Sequence, residues 1–511
     1  MGERRRGEGV GVVARDVEAY RKAAHEMVDF VADYYQTLQD GKGPLSPDGP
    51  LPVISAVEPG YLAKVLPAEA PEKGETFDAI MRDVEEKILP GITHWQSPNF
   101  FAYFPANSSY PGMIADMLCS AFNVIGFSWV NSPACTELET IVIDWLAKLV
   151  GMPDCFLSNK KGGGVIQGTA SEAVAVALLS ARLRSLRAAA EGKGLTYDLL
   201  LEKGVPGEED NSMKLVAYCC DQAHSSIKKA CMIAGVRMIR SIPGRAETNF
   251  EFDAVALEQA IEADIQAGLI PFFISATIGT TSSGACDDIT RIGGVAKKYN
   301  VWLHVDSAYA GPAAVCEEYR GVFAGRELCD SFNFNAHKWM LTNFDCSVLW
   351  VQNRTHLLDA LSITPEYMRN KASESGLVVD YRDWQIPLGR RFRALKLWFV
   401  MRSFGAEGIR QHIQDGIELA RYFEEELKKD GRFEIPVPRS FGLVCFRLKG
   451  KGNEANQALL DAVNATKKTF IIHTALEGKT TLRFAAGGVM SEKEHVDNVL
   501  SLLKDSAASI V

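Results

Sequence analysis

The 511-residue sequence has no apolar run approaching the roughly 18 residues that a membrane-spanning helix needs. Its opening, "MGERRRGEGVG", lacks the apolar core of a signal peptide. Met-Gly begins a myristoylation signal, but Arg6 stands where that motif requires Ser or Thr, so the opening reads as a frayed tail. Basic charge is in deficit. With 55 Lys and Arg against 64 Asp and Glu the net charge is −9, which argues against the basic face that nucleic-acid binding requires. The eleven cysteines include no CxxC pair or zinc-ligand spacing, and their odd number does not suit a disulfide framework. Cys219 and Cys220 adjoin inside an apolar run, as buried thiols do. A reducing, cytoplasmic location is expected, with no membrane and no nucleic acid as partners. No repeat of 20–50 residues and no low-complexity segment occurs.

What is present is an ordinary globular composition, 47% hydrophobic and 23% charged, in a chain long enough for more than one domain. Residues 16–38 carry an apolar stripe at Val17, Tyr20, Ala24, Met27, Val28, Val31 and Tyr34, which predicts a helix. "LPVISAVEPGYLAKVLPAEAP" reads as an irregular connector, and "ETFDAIMRDVEEKILPGI" as a second amphipathic helix stopped at Pro90-Gly91. From about residue 110 short apolar strands alternate with helices. "MKLVAYCCD", "LIPFFISATIG" and "VWLHVDSAYAG" read as strands; "FDAVALEQAIEADIQAG" and "DITRIGGVAKKYN" read as the helices between them. All-apolar strands in such alternation predict an α/β fold, a parallel sheet covered on both faces, with its ligand beyond the C-terminal strand ends. Past residue 395 a long helix, the strands "GLVCFRL" and "TTLRFAA" and a closing helix predict a small α+β domain. The expected division is 1–109, an N-terminal helical segment; 110–395, the large α/β domain; and 396–511, the small domain.

Four elements fall at the expected sheet edge. "KGGGVIQGTASEAVAVALLSARLRSL" is glycine-rich and then helical, and Thr169 with Glu172 fits a capping box that starts a helix near Ala170. Such a turn either cradles a phosphate or is only a flexible lead into a helix; it is neither a Walker A loop nor a dinucleotide fingerprint. "HVDSAYAG" places Asp306 at a strand end. His304 and Asp306, at i and i+2, raise the question of a metal, but no third ligand lies near in sequence and Lys338 adjoins His337; a metal is not expected. His224 follows "MKLVAYCCD" and is either structural or catalytic. Lys338, in "SFNFNAHKWMLTNF", follows strand-like apolar residues, where a lysine is costly unless it reaches water or is chemically used. Alone it would be a surface lysine. Together the four suit pyridoxal 5′-phosphate, which needs a lysine for a Schiff base, an anion for its ring nitrogen, a phosphate site and a group against its ring.

The segments "HWQSPNFFAYFPANSSYPG", "GFSWVNSPACTELE", "GGGVIQGTASEA", "DQAHSSI", "HVDSAYAG", "NFNAHKW", "NFDCSVLWV" and "DYRDWQIPLGRRFR" resemble those of the pyridoxal-phosphate-dependent aromatic L-amino-acid decarboxylases, the group II decarboxylases. The resemblance runs from about residue 16 to the C-terminus. It implies fold type I, the aspartate aminotransferase-like fold of such transferases. It also implies roles: Lys338 for the Schiff base, Asp306 for the pyridinium nitrogen, and His224 against the ring and in catalysis. By the same resemblance Ala170, Ser171 and Asn335 hold the phosphate, His337 adjoins the Schiff-base lysine, Thr281 lies near the ring, and Trp95, Tyr103, Phe104, Pro105, Ile125 and Phe127 form the substrate pocket. Tyr367 matches the family's loop tyrosine, which returns a proton to Cα; relatives with phenylalanine there make an aldehyde, ammonia and peroxide instead. His224 likewise matches decarboxylases, where those relatives can carry asparagine. Gly389 matches plant tryptophan decarboxylases, whereas tyrosine-type members carry serine; animal members acting on dihydroxyphenylalanine share the glycine. Tryptophan, tyrosine, phenylalanine and dihydroxyphenylalanine all stay open as substrates. Homodimers are implied, with Ile125, Phe127 and the Tyr367 loop reaching the neighbouring subunit's cofactor. An aromatic aldehyde synthase and a non-catalytic pyridoxal-phosphate-binding protein are the alternatives.

Overall fold

The computed structural model describes residues 16–47, 49–192, 196 and 211–510; the opening segment lies outside them. The apolar runs form a seven-stranded sheet. Its strands are β1 (Gly163–Gln167), β2 (Leu215–Cys220), β3 (Met238–Ile242), β4 (Ile270–Thr277), β5 (Trp302–Asp306), β6 (Ser331–Asn335) and β7 (Ser347–Val351), in the order β1-β7-β6-β5-β4-β2-β3. All pairs are parallel except those of β7, which runs against both β1 and β6. The expected parallel sheet thus has one reversed strand, entered through a tight connection after β6 rather than a helical crossover.

Successive strand residues enter different cores, as the period of two requires. Leu215, Ala217, Cys219, Phe273 and Trp302 pack beneath the helix α6 (Ala170–Glu191). Val216, Tyr218, Ile274, Leu303 and Val305 pack on the other face, against α5 (Pro133–Leu149) and the helices Ala254–Gln266, Ile289–Lys298 and Ala394–Lys428. Burial on both sides explains why these strands lack polar alternation. The small sheet is antiparallel, with β8 (Phe433–Glu434), β9 (Leu443–Leu448), β10 (Ile472–Leu476) and β11 (Lys479–Ala485) in the order β10-β11-β9-β8. The β10–β11 hairpin turns at Glu477-Gly478, both at positive φ, the geometry that matches strand twist.

Three helical expectations change in detail. α1 (Val17–Asp40) forms as read, capped by Asp16 and closed by Gly41 at φ 69°. The connector contains a short helix, α2 (Tyr61–Val65). The helix read through residue 89 is α-helical only as α3 (Phe77–Asp83); it widens to a π turn over Val84–Ile88 and tightens to a 3-10 turn at Leu89–Gly91, where Pro90 offers no amide proton. The long helix Ala394–Lys428 is interrupted at Gly405, whose φ of 64° and ψ of −179° no helix contains. A further helix, α4 (Tyr110–Phe122), is capped by Ser109 and packs against Ala394–Lys428.

Candidate active site

The parallel strands β1, β2, β4, β5 and β6 all end at one sheet edge, which is where Thr169, His224, Thr281, Asp306 and Lys338 emerge. Lys338 sits in the one-turn helix Ala336–Trp339 directly after β6. Its Nζ lies 5.4 Å from the centre of the Phe104 ring, and no ion pair joins it to a carboxylate among the described residues. Burial pushes its pKa down; the Asp306 carboxylate opposes this and the Arg483 guanidinium adds to it. The result favours a neutral amine, the nucleophilic form.

Asp306 is buried, and its Oδ1 accepts from Ala308 N–H at 3.0 Å. His224 lines the cavity as an exposed residue; desolvation lowers its pKa, with Asp306 opposing and Lys338 reinforcing. Its Nδ1 accepts from Ser226 N–H at 3.2 Å, which assigns the ring proton to Nε2. His337 is fixed in the same way: Cys346 N–H donates to Nδ1 at 2.9 Å, and burial with the adjacent Lys338 holds the ring neutral, at about 3.

The capping box expected at α6 is displaced by one residue. Thr169 Oγ1 accepts from Glu172 N–H, but the Glu172 carboxylate accepts from Gly168 N–H at 2.9 Å rather than from Thr169. The helix begins at Ala170 as read, and the Ala170 and Ser171 amides belong to its first turn, where no carbonyl of the helix can accept them. Asn335, buried at the end of β6, has an Oδ1 without a partner.

A cavity of about 500 Å³ opens over Lys338. It brings together the sequence-derived residues Trp95, Tyr103, Phe104, Pro105, His224, Thr281, His337 and Lys338. Trp95 and Tyr103 stack with centroids 5.4 Å apart, and Phe104 stacks on Tyr309 at 3.7 Å. Phe344, Ile472 and Arg483 also line it, and sequence reading missed them. Arg483, on β11, is 1% exposed; its Cζ lies 4.9 Å from the Phe104 ring centre and all three guanidinium nitrogens lack an acceptor. Asn107 was also missed. Its Oδ1 accepts from Leu341 N–H at 3.0 Å and its Nδ2 donates to Gly487 O at 2.9 Å, which ties the turn after Lys338 to the small sheet. Gly487, at φ 126°, has no room for a side chain: a Cβ there would lie 2.6 Å from Trp339 Nε1.

Ile125, Phe127, Gly389 and Tyr367 do not line this cavity. Ile125 is 61% exposed, and a Cβ on Gly389 would meet only Ile125 Cγ2, at 3.6 Å. Tyr367 is 80% exposed, in the 3-10 turn Glu366–Met368. The segments carrying them are stitched together: Arg382 N–H donates to Phe127 O at 3.0 Å, Trp129 N–H to Asp380 Oδ1 at 2.9 Å, and Ser373 Oγ–H to Asp380 Oδ2 at 2.5 Å. They form one unit that carries the exposed Ile125 and Tyr367 on buried ties at Ser128, Asp380 and Arg382.

A nucleophilic lysine, a buried carboxylate, a flanking imidazole and free amides at a helix start are the donor set that pyridoxal 5′-phosphate requires, and the residues present fit it. Comparison with known proteins agrees. Residues 59–449 match the family model described as the pyridoxal-dependent decarboxylase conserved domain. The chain is 48% identical over 504 residues to tryptophan decarboxylase 2 of Oryza sativa subsp. japonica, covering 97% of this chain and 96% of that protein. It is also 48% identical over 513 residues to phenylacetaldehyde synthase of Arabidopsis thaliana, with 99% of each covered. The crystal structure of Catharanthus roseus tryptophan decarboxylase in complex with L-tryptophan superposes with a TM-score of 0.88 at 42% identity, covering 98% of this chain and 100% of that one.

Proposed function

Since the chain belongs to the pyridoxal-dependent decarboxylase family, we propose that it converts an aromatic L-amino acid to the corresponding amine and CO2. Its cofactor is pyridoxal 5′-phosphate. When bound, the cofactor supplies an electron sink for the electron pair left at Cα as the carboxylate departs. Lys338 would hold it through the ε-amine, Asp306 through the ring nitrogen, and Ala170, Ser171 and Asn335 through the phosphate, with His224, Thr281 and His337 around the ring. The observation that carries this reading is Lys338: a half-buried amine, depressed in pKa by desolvation and without an ion pair among the described residues, at the sheet edge beside Asp306.

The remaining steps fall to the chain's own groups. Arg483, cationic and without an acceptor, receives the substrate's carboxylate. Trp95, Tyr103, Phe104 and Pro105 give the aromatic side chain an apolar berth and exclude water. Tyr367 then delivers its phenolic proton to Cα. Because Tyr367, Ile125, Phe127 and Gly389 stand away from their own cavity, the reading assigns them to the site of a second subunit. The apolar groove along α1 and α4, lined by Tyr20, Met27, Val28, Tyr110 and Ile114, supports a homodimer. The same reading keeps the three-part division at residues 109 and 395. Among the described residues no helix is long and apolar enough to cross a membrane, and the proposed location is cytoplasmic.

Substrates within reach are tryptophan, tyrosine, phenylalanine and dihydroxyphenylalanine. A second reading, an aldehyde synthase, is favoured by the similarity to the Arabidopsis phenylacetaldehyde synthase and opposed by the tyrosine at 367. Borohydride reduction of the holoenzyme followed by peptide mapping tests the carrying observation. The expected product is one modified peptide, containing Lys338; labelling elsewhere would overturn the assignment.

A further inference from the structure

His304 stands two residues before Asp306 on β5 and shares its face of the sheet. Ser331 and Asn333 stand opposite His304 and Asp306 on β6. The face lies under α6, and His304, Ser331 and Asn333 are all fully buried there.

The hydrogen bonds along this row have a direction. Trp302 Nε1–H, which can only donate, gives to Ser331 Oγ at 2.8 Å. Ser331 Oγ in turn lies 2.8 Å from His304 Nδ1. Of the two partners of Ser331 Oγ among the described residues, His304 Nδ1 is the one that can take its proton, which assigns Nδ1 as the acceptor and the ring proton to Nε2. Among the described residues this Nε2–H is buried with no partner in hydrogen-bond geometry, and the Asn333 amide is unpartnered at both ends. The ring lies within electrostatic reach of Asn333 and Asp306, and burial keeps it neutral, at about 4. Among the described residues Asp306 receives one side-chain hydrogen bond, from Ala308 N–H. A carboxylate kept ionised away from water needs further donors. At the far end Arg184 lies 4.8 Å over the Trp302 ring, which polarises the indole and strengthens its N–H as a donor.

We propose that Trp302 and Ser331 fix His304 with its proton on Nε2, and that this unpartnered N–H and the Asn333 amide complete a one-way hydrogen-bond chain onto Asp306 when the cofactor's ring nitrogen is bound, holding the carboxylate charged against it. His304 and Ser331 are positioning residues, acting through Asp306. The inference rests on the reading of Asp306 as the ring-nitrogen partner.

The test compares two cofactors on the full-length apo-protein: pyridoxal 5′-phosphate and its 1-deaza analogue, in which C–H replaces the ring nitrogen. Dissociation constants are measured by titration for the wild type, His304→Phe, Ser331→Ala and Ser331→Thr, with apo-protein melting curves to establish folding. The wild type is expected to prefer the natural cofactor. His304→Phe and Ser331→Ala weaken natural-cofactor binding about tenfold, the loss of a charge-assisted donor, and leave analogue binding unchanged. Ser331→Thr keeps the hydroxyl and the wild-type ratio. Should His304→Phe fail to fold, Ser331→Ala decides. A wild-type ratio that survives in Ser331→Ala, through equal weakening of both cofactors or of neither, overturns the chain while leaving Asp306 its role. A wild type indifferent between the two cofactors overturns that role and the chain with it.

Discussion

Arg483 holds its guanidinium carbon 4.9 Å from the centre of the Phe104 ring, in the cavity shared with Lys338, and no acceptor among the described residues meets its nitrogens. Burial of an unpaired cation costs stability, so an anion of the ligand must complete the site. Arg483→Met should therefore separate folding from function. The melting temperature of the apo-protein stays level or rises, while kcat/KM falls about 10- to 100-fold, the equivalent of about 1.5–3 kcal/mol for a charge-assisted hydrogen bond. Thermal melts and steady-state kinetics check both halves. Unchanged kcat/KM would remove Arg483 from substrate binding.

Gly389 lies against Ile125, and a Cβ there has ordinary van der Waals room at 3.6 Å. Gly389→Ser should fold normally and narrow the space available to an indole. The expected effect is a drop of about tenfold in kcat/KM for tryptophan relative to tyrosine, the scale of a small steric change in a pocket. Competition between the two substrates measures the ratio directly.

The acid limb of stability follows from buried neutral histidines. His337 is held at about 3 and His94, His304 and His412 at about 4, all chiefly by burial. Unfolded histidine titrates near pH ~6.5. Below that value the unfolded chain binds protons that the folded one refuses, so the stability present above pH ~6.5 is lost as pH falls, by up to about 1.4 kcal/mol per pH unit for each group. Asp287 acts the other way. Burial raises it to about 7, although Thr277 and Phe252 N–H groups donate to it, and its protonation favours the fold as pH falls. Glu251 and Asp383, also raised by burial, act as Asp287 does, and these carboxyls do not offset the four imidazoles. Urea midpoints of the apo-protein should decline steadily from pH 6.5 to 4.5, and a flat profile would contradict the burial argument.

If Tyr367 serves the neighbouring subunit, inactive variants should complement each other. Lys338→Ala and Tyr367→Phe are each expected to lack amine production. Mixed and allowed to exchange subunits, half of the dimers pair one of each, and each such dimer has one complete site. Amine formation should return to about a quarter of the wild-type rate, as two-fold symmetry requires. No recovery, with exchange verified by mass spectrometry, would place Tyr367 in the site of its own chain.

Strands β2, β4 and β5 and the edge they share were legible because burial on both faces leaves an uninterrupted apolar run, as in "LVAYCC" and "IPFFISAT", whereas the edge strand β3, "MIRSI", is only partly buried and lacks that signal. Asp306 stood out because it ends an apolar run with a charge, and Lys338 because it follows the aromatic strand "SFNFN". The reversed β7 was not legible, since a buried antiparallel strand has the same composition as a parallel one. Arg483 left a signal that was passed over: a lone arginine inside "TTLRFAA", a strand whose other inner residues are small or apolar. Asn107 left none, because its partners Leu341 and Gly487 come from distant parts of the chain. The contact between Gly389 and Ile125 is equally invisible in one dimension.

The central claim is that this chain, with tyrosine at 367, releases an amine. The direct measurement is a product-resolved assay of the purified holoenzyme on tryptophan, tyrosine, phenylalanine and dihydroxyphenylalanine, following amine, CO2, aldehyde and peroxide together. The account predicts one amine per CO2 with no stoichiometric peroxide, and a shift to aldehyde, ammonia and peroxide, with consumption of oxygen, in Tyr367→Phe. Aldehyde and peroxide in step with CO2 from the wild-type protein would contradict it.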